Sequence, residues 1–148
     1  MTSIKNLSYR TDAIFHVRDG FVEEYPDYYA IRTPSNPSFW FGNIILFKHA
    51  PRAGDLDRWL KIHETVFGKT LTHITLGWDE DAPGDNGQFI AAGFKTEDGI
   101  GLSMSSYTGG TTINSSLVVR SLQSDADWQQ IIDLQVEIDR DDFHYTED

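Results

Sequence analysis

Four apolar residues in succession, Ile44-Ile45-Leu46-Phe47, constrain this chain more than any other feature. Side chains of a strand alternate between two faces, so a run that is apolar at every position needs cover on both. The run predicts an internal strand over Phe39–Lys48. One cover follows directly. Leu56, Trp59, Leu60, His63, Val66 and Phe67 recur at helical spacing between Asp55 and a stop at Gly68. Asp55 suits an N-cap, and Asp55 and Asp57 sit where the helix dipole favours negative charge. Thr72–Trp78 is β-branched and reads as the next strand, so residues 39–78 form a strand, helix, strand unit.

Upstream, Ala13–Arg18 has a short strand pattern and ends in Asp19-Gly20, a dipeptide suited to a tight hairpin with Phe21–Glu24. Tyr25-Pro26-Asp27 turns the chain into a strand over Tyr28–Thr33, which Pro34 and Pro37 end. Downstream, Asp79–Asp85 reads as a solvated acidic loop, Gly87–Ala92 as a short helix closed by Gly93, and Phe94–Met104 as a hairpin around Asp98-Gly99. Tyr107–Thr112 is a linker and Leu117–Leu122 a strand. Ser124 then caps a helix carrying Trp128, Ile131, Leu134 and Ile138, with Asp127 at the capping-box position. The order is that of a mixed α/β or α+β sheet.

Charge narrows the partners. Twelve Lys and Arg against 23 Asp and Glu give a net charge of -11, so nucleic acid and anionic lipid surfaces meet repulsion. There is no cysteine, which removes disulfides, thiolate nucleophiles and Cys-bearing metal sites and matches a reducing, cytoplasmic setting. Met1–Arg10 has no apolar signal region, and no apolar run approaches the ~18 residues of a membrane span. The five histidines show no His-x-x-x-His spacing, the acidic loop fails the EF-hand template at Pro83 and Ile90, and no metal site is expected. His63, on the apolar stripe of its helix, reads as a hydrogen-bonded histidine at the core edge. No serine lies in a Gly-x-Ser-x-Gly elbow.

The succession from the strand at 39–48 to the short helix ending in Ala91-Ala92-Gly93-Phe94 resembles the second half of a GNAT N-acetyltransferase, with the Gly-Phe pair as its best marker. Arg32-Thr33-Pro34-Ser35-Asn36-Pro37, Phe41-Gly42-Asn43, Gly54-Asp55 and Trp59 are similar to the N-terminal half of bacterial tandem-GNAT proteins, over residues 12–106. Residues 118–138 resemble the first strand and helix of another GNAT unit. The resemblance implies a GNAT-like mixed, largely antiparallel sheet flanked by helices. It divides the chain into a domain at 1–113, lacking the usual first strand and two helices, and a strand plus helix at 114–148.

It also implies a chemistry that these residues serve poorly. The superfamily holds the acyl-CoA pyrophosphate on backbone N–H groups of a Gly-rich loop at a helix N-terminus, which is anion binding at an unsatisfied helix end. The corresponding residues, Lys48, Arg52, Ala53 and Gly54, are the candidate cofactor site. They include one glycine, Pro51 removes a donor, and Asp55 opposes phosphate. The usual proton donor, a tyrosine four residues before the Gly of the pair, is replaced by Phe89, which has no proton to give. Tyr107 is a weak substitute, and no catalytic residue is assigned. Arg32, Thr33, Asn36, Gly42 and Asn43 either line a ligand groove or form a rigid turn with a bulge at Gly42.

The expectation is an acetyltransferase-related, non-catalytic half of a tandem GNAT with a structural, dimerising or ligand-sensing role. The alternative is an active N-acetyltransferase acting on a small amine or protein amine with acetyl-CoA. A homodimer through 117–138 is the expected self-association.

Overall fold

A computed structural model describes residues 3–99, 103, 105, 106, 116, 118 and 120–143. Two compact units divide it, residues 1–104 and 105–148. In the first unit the elements run α1 (Leu7–Asp19), β1 (Phe21–Glu24), β2 (Tyr28–Arg32), β3 (Ile44–Phe47), α2 (Asp55–Phe67), β4 (Leu76–Trp78) and α3 (Gly87–Ala91). One sheet of order β1-β2-β3-β4 results. The first two pairings are antiparallel and β3–β4 is parallel, reached through α2. This is an α+β fold, an open and mostly antiparallel mixed sheet flanked by helices.

The double-sided cover that the Ile44–Phe47 run demanded is present, and all four residues are buried. Ile45 and Phe47 join Ala30 against Trp59 and Phe67 of α2 and Phe89 of α3. Phe47 and Trp59 stack with ring centroids 3.7 Å apart. On the other face Leu46 and Tyr29 pack with Ile4 and with Ala13 of α1. Each fully buried side chain of this size contributes roughly 1.5–3 kcal/mol. The stabilising centre of the unit is therefore β3.

Residues 13–18 are helical, not a strand. The Asn6 side chain caps the helix by accepting from Ser8 N at 2.9 Å and Tyr9 N at 3.4 Å. Apolar residues fall on both faces of α1, which hides the helical period. Asp19-Gly20 is accordingly no hairpin turn, for Gly20 closes α1 by donating to His16 O at 2.8 Å. A Cβ at Gly20 would sit 2.1 Å from Arg32 O, so only glycine lets the chain pass from α1 into β1. Strand β3 is shorter than 39–48, because residues 39–43 turn back, and β4 is confined to 76–78. Residues 94–99 form no strand, and the rest of the expected hairpin lies largely outside the described residues.

In the second unit α4 spans Asp125–Phe143. Its start is a reciprocal capping box. Asp127 N donates to Ser124 Oγ at 3.2 Å, and the Asp127 carboxylate accepts from Ser124 N at 3.0 Å and Gln123 N at 2.9 Å. The Arg120 guanidinium bonds the same carboxylate and, with these N–H groups, holds its pKa well below the usual range. Trp128, Ile131, Leu134 and Ile138 are exposed. Residues 118 and 120–122 are not a strand, while 117, 119 and the 107–112 linker lie outside the described residues.

Candidate functional site

Side chains and turns already occupy the start of α2, where an anion cradle would lie. Gly54, in the left-handed region at φ 86°, is the N-cap, one residue before the position expected for Asp55. Asp55 accepts from Arg52 N at 2.9 Å and from the Arg58 guanidinium at 3.0 Å. Burial works to raise the Asp55 pKa, but these donors outweigh it and the net shift is downward. Ala50 N donates to Glu80 at 2.8 Å and Leu56 N to Gln88 at 3.3 Å. Gln88 also donates to Arg52 O at 2.7 Å, so α3 is clamped onto this loop. Of the candidate cofactor residues, Arg52, Ala53 and Gly54 stand together on an exposed turn. Lys48 is not with them, since its ammonium pairs with Glu24 at 2.8 Å and lies 4.9 Å from the centre of the Tyr29 ring.

The second candidate group resolves into a turn. Buried Asn43 accepts from Thr33 N at 3.0 Å and donates to Asn36 O and Phe39 O, both at 2.9 Å. The Thr33 hydroxyl donates to Gly42 O at 3.0 Å. A Cβ at Gly42 would meet the Phe39 ring at 2.2 Å and Thr33 Oγ1 at 2.7 Å. Asn43 and Thr33 thus spend these polar atoms within the turn, and Arg32 pairs with Glu23 at the β1 edge.

The concave site lies elsewhere, beside β4, the edge strand of the sheet among the described residues. A cavity of about 370 Å³ opens there, within the range of small-molecule sites. Trp59, Trp78, Phe89 and Phe94 give it aromatic walls, and among the described residues Glu80, Asp81, Glu97 and Asp98 set its charge against Lys95. The Trp78 indole donates to Ala82 O at 2.7 Å and fixes the 79–86 loop. Gly84, at φ 64°, lets that loop pass Pro51, whose Cδ would be 2.5 Å from a Cβ there. The loop is only half the solvated turn expected from its sequence. Asp79 is 3% exposed and accepts from Lys5 N at 2.7 Å and Asn6 N at 2.6 Å, while Asp81 and Asp85 are exposed.

Sequence reasoning missed Tyr9. Its hydroxyl lies over the β4 backbone, 2.7 Å from where a Cβ of Gly77 would stand, and both residues line the cavity. Burial first, then Asp12 and Asp79, raise the phenol pKa, so it stays a proton donor. The available signal was Asn6 as an N-cap three residues before it. Phe89 is 6% exposed and packs on Trp59 and Phe94, with ring centroids 5.3 and 5.9 Å away. His63 is buried on Phe67, but its Nε2 has no partner. No three metal-binding side chains cluster among the described residues, and no helix there is long and apolar enough to cross a membrane. Tyr107 lies outside the described residues. No family model, curated protein or solved structure matches the chain.

Proposed function

We propose that this chain is a non-catalytic, ligand-sensing relative of the GNAT acetyltransferases, and that its cavity takes a small organic amine with an apolar body. The family part rests on the order and pairing of elements. Three antiparallel strands lead through a crossover helix to a parallel fourth strand, then to a short helix ending in Gly93-Phe94. A helix, α1, precedes these strands, in keeping with a fold that opens with helices. The ligand part rests on one observation, the sign of charge at the cavity. Carboxylates outnumber cations there, and aromatic faces attract a cation that has left water. Acyl-CoA phosphates would meet the same carboxylates, and near the α2 start the N–H groups of Ala50, Arg52 and Leu56 are already engaged.

The enzymatic alternative, an N-acetyltransferase acting on an amine, draws on Tyr9, which lines the cavity and whose phenol, with its pKa raised by burial, has a proton to give. Calorimetry separates the two readings. Phenethylamine should bind, whereas phenylacetate, the same body with opposite charge, and acetyl-CoA should not. Micromolar acetyl-CoA binding that is lost in Arg52→Glu, together with thiol release in the presence of an amine, would establish the enzyme instead.

A further inference from the structure

The cavity has a wall that the sequence places far from the rest of it. Residues 76–78, 80–83 and 94–99 form much of the site, whereas Asn6 and Tyr9 line it from the N-terminal segment. Asp79 ties the two together. It stands between Trp78 and Glu80, which line the cavity, and its own N–H donates to Phe47 O at 2.8 Å, so the carboxylate is set on the sheet. Its two oxygens accept from Lys5 N at 2.7 Å and Asn6 N at 2.6 Å. Two other ties involve no residue that lines the cavity. The Ser3 hydroxyl bonds Glu24 and the Tyr29 hydroxyl, each at 2.6 Å, and Ile4 is buried with Tyr29 and Leu46. Asn6 carries three duties at once. Its N–H meets the Asp79 carboxylate, its side chain accepts from Ser8 N at 2.9 Å to cap α1, and it lines the cavity.

A ligand in this cavity touches Asn6 and Tyr9 only while their segment is docked. It therefore binds the docked state better, and by linkage its binding favours docking to the same degree. A wall that met the ligand equally in both states would shift nothing. Docking in turn fixes Asn6, from which α1 starts. We propose that residues 3–9 are a strap latched by Asp79, and that an amine bound in the cavity tightens the strap and secures the first turn of α1. This regulation rests on the amine site proposed above. Asp79 is a positioning residue in it, since it reaches the ligand only through Asn6 and Tyr9.

Calorimetry and hydrogen exchange on the full chain test it, with phenethylamine as the probe and phenylacetate as the control. Phenethylamine should slow exchange of the Lys5, Asn6 and Arg10 amides by about 10-fold or more, the last because Arg10 N donates to Asn6 O at 3.0 Å. Phenylacetate should leave all three unchanged. Asp79→Ala should bind phenethylamine about 10-fold more weakly, although Asp79 does not line the cavity, and Asp79→Asn, which keeps one acceptor, should lose less. In Asp79→Ala the amine should still slow the Arg10 amide, because binding draws the loosened strap back. A carboxylate with a merely structural role would give no such response. Exchange at the three amides that saturating phenethylamine leaves unchanged overturns the strap while the amine site stands. Equal affinity in the parent and in both Asp79 variants does the same. Absence of phenethylamine binding to the parent overturns the amine site itself, and the strap with it.

Discussion

Replacing Asp79 by alanine should detach the N-terminal segment from the sheet. The carboxylate is buried, and its two oxygens accept from Lys5 N at 2.7 Å and Asn6 N at 2.6 Å. A hydrogen bond to a charged group contributes about 1.5–3 kcal/mol, and leaving a buried donor unpaired costs about 1–3 kcal/mol. Lys5 is exposed and can recover water in the variant, whereas Asn6 is half-buried and the Asn6 side chain is already the helix cap. The loss is therefore about 2–4 kcal/mol, short of the full sum. At roughly 4 °C per kcal/mol for a domain of this size, the melting midpoint should fall by about 8–16 °C. Asp79→Asn keeps one acceptor and should lose about half as much. Calorimetry reads the midpoint, and hydrogen exchange reads the Lys5 and Asn6 amides, which should lose protection before those of β3 do. An Asp79→Ala protein that melts within about 2 °C of the parent, with both amides still protected, would show that the carboxylate anchors nothing and that α1 is held by its apolar contacts alone.

Two further outcomes follow from the core. Ile45→Asp should abolish soluble expression, since Ile45 is fully buried and an unpaired interior charge costs several kcal/mol; a variant that melts like the parent would refute the internal position of β3. His63 and His73 have pKa values below the ordinary 6.5, chiefly through burial, with His73 adding to the effect on His63. The unfolded chain thus takes up these protons first, so stability is full above about pH 6.5 and is lost as pH falls through 6.5 toward the folded values. Denaturant midpoints from pH 7.5 to 5 should show this decline, and His63→Leu should flatten it; an equal slope in that variant would assign the loss to other groups.

Legibility in the sequence followed the range of each cause. The turn at 33–43 could be read as either groove or scaffold, because its residue types suit both. The tertiary structure shows the bonds that Asn43 makes to Thr33, Asn36 and Phe39 within that turn. Residues 13–18 misled because Ile14, Phe15 and Val17 are apolar on the outer face, where a period-based reading expects polarity. Helix α4, by contrast, started where Ser124 and Asp127 said it would, since both halves of a capping box lie within one turn.

By itself the sequence determined β3 and α2. A short run of consecutive apolar residues rich in β-branched and aromatic side chains reads as a strand covered on both sides, and the 55–67 spacing reads as a helix with one buried face; both are rules of the chain's immediate neighbourhood. The tertiary structure decided the rest of the site. Asp79 could be a solvated loop carboxylate or a buried anchor, and its partner Lys5 stands 74 residues away. The cavity likewise draws on Tyr9, Trp59, Trp78 and the 94–99 segment, which no local pattern links. Periodicity and capping act over one or two turns of chain, whereas the partner of a buried polar group is fixed by which distant backbone the packing brings beside it.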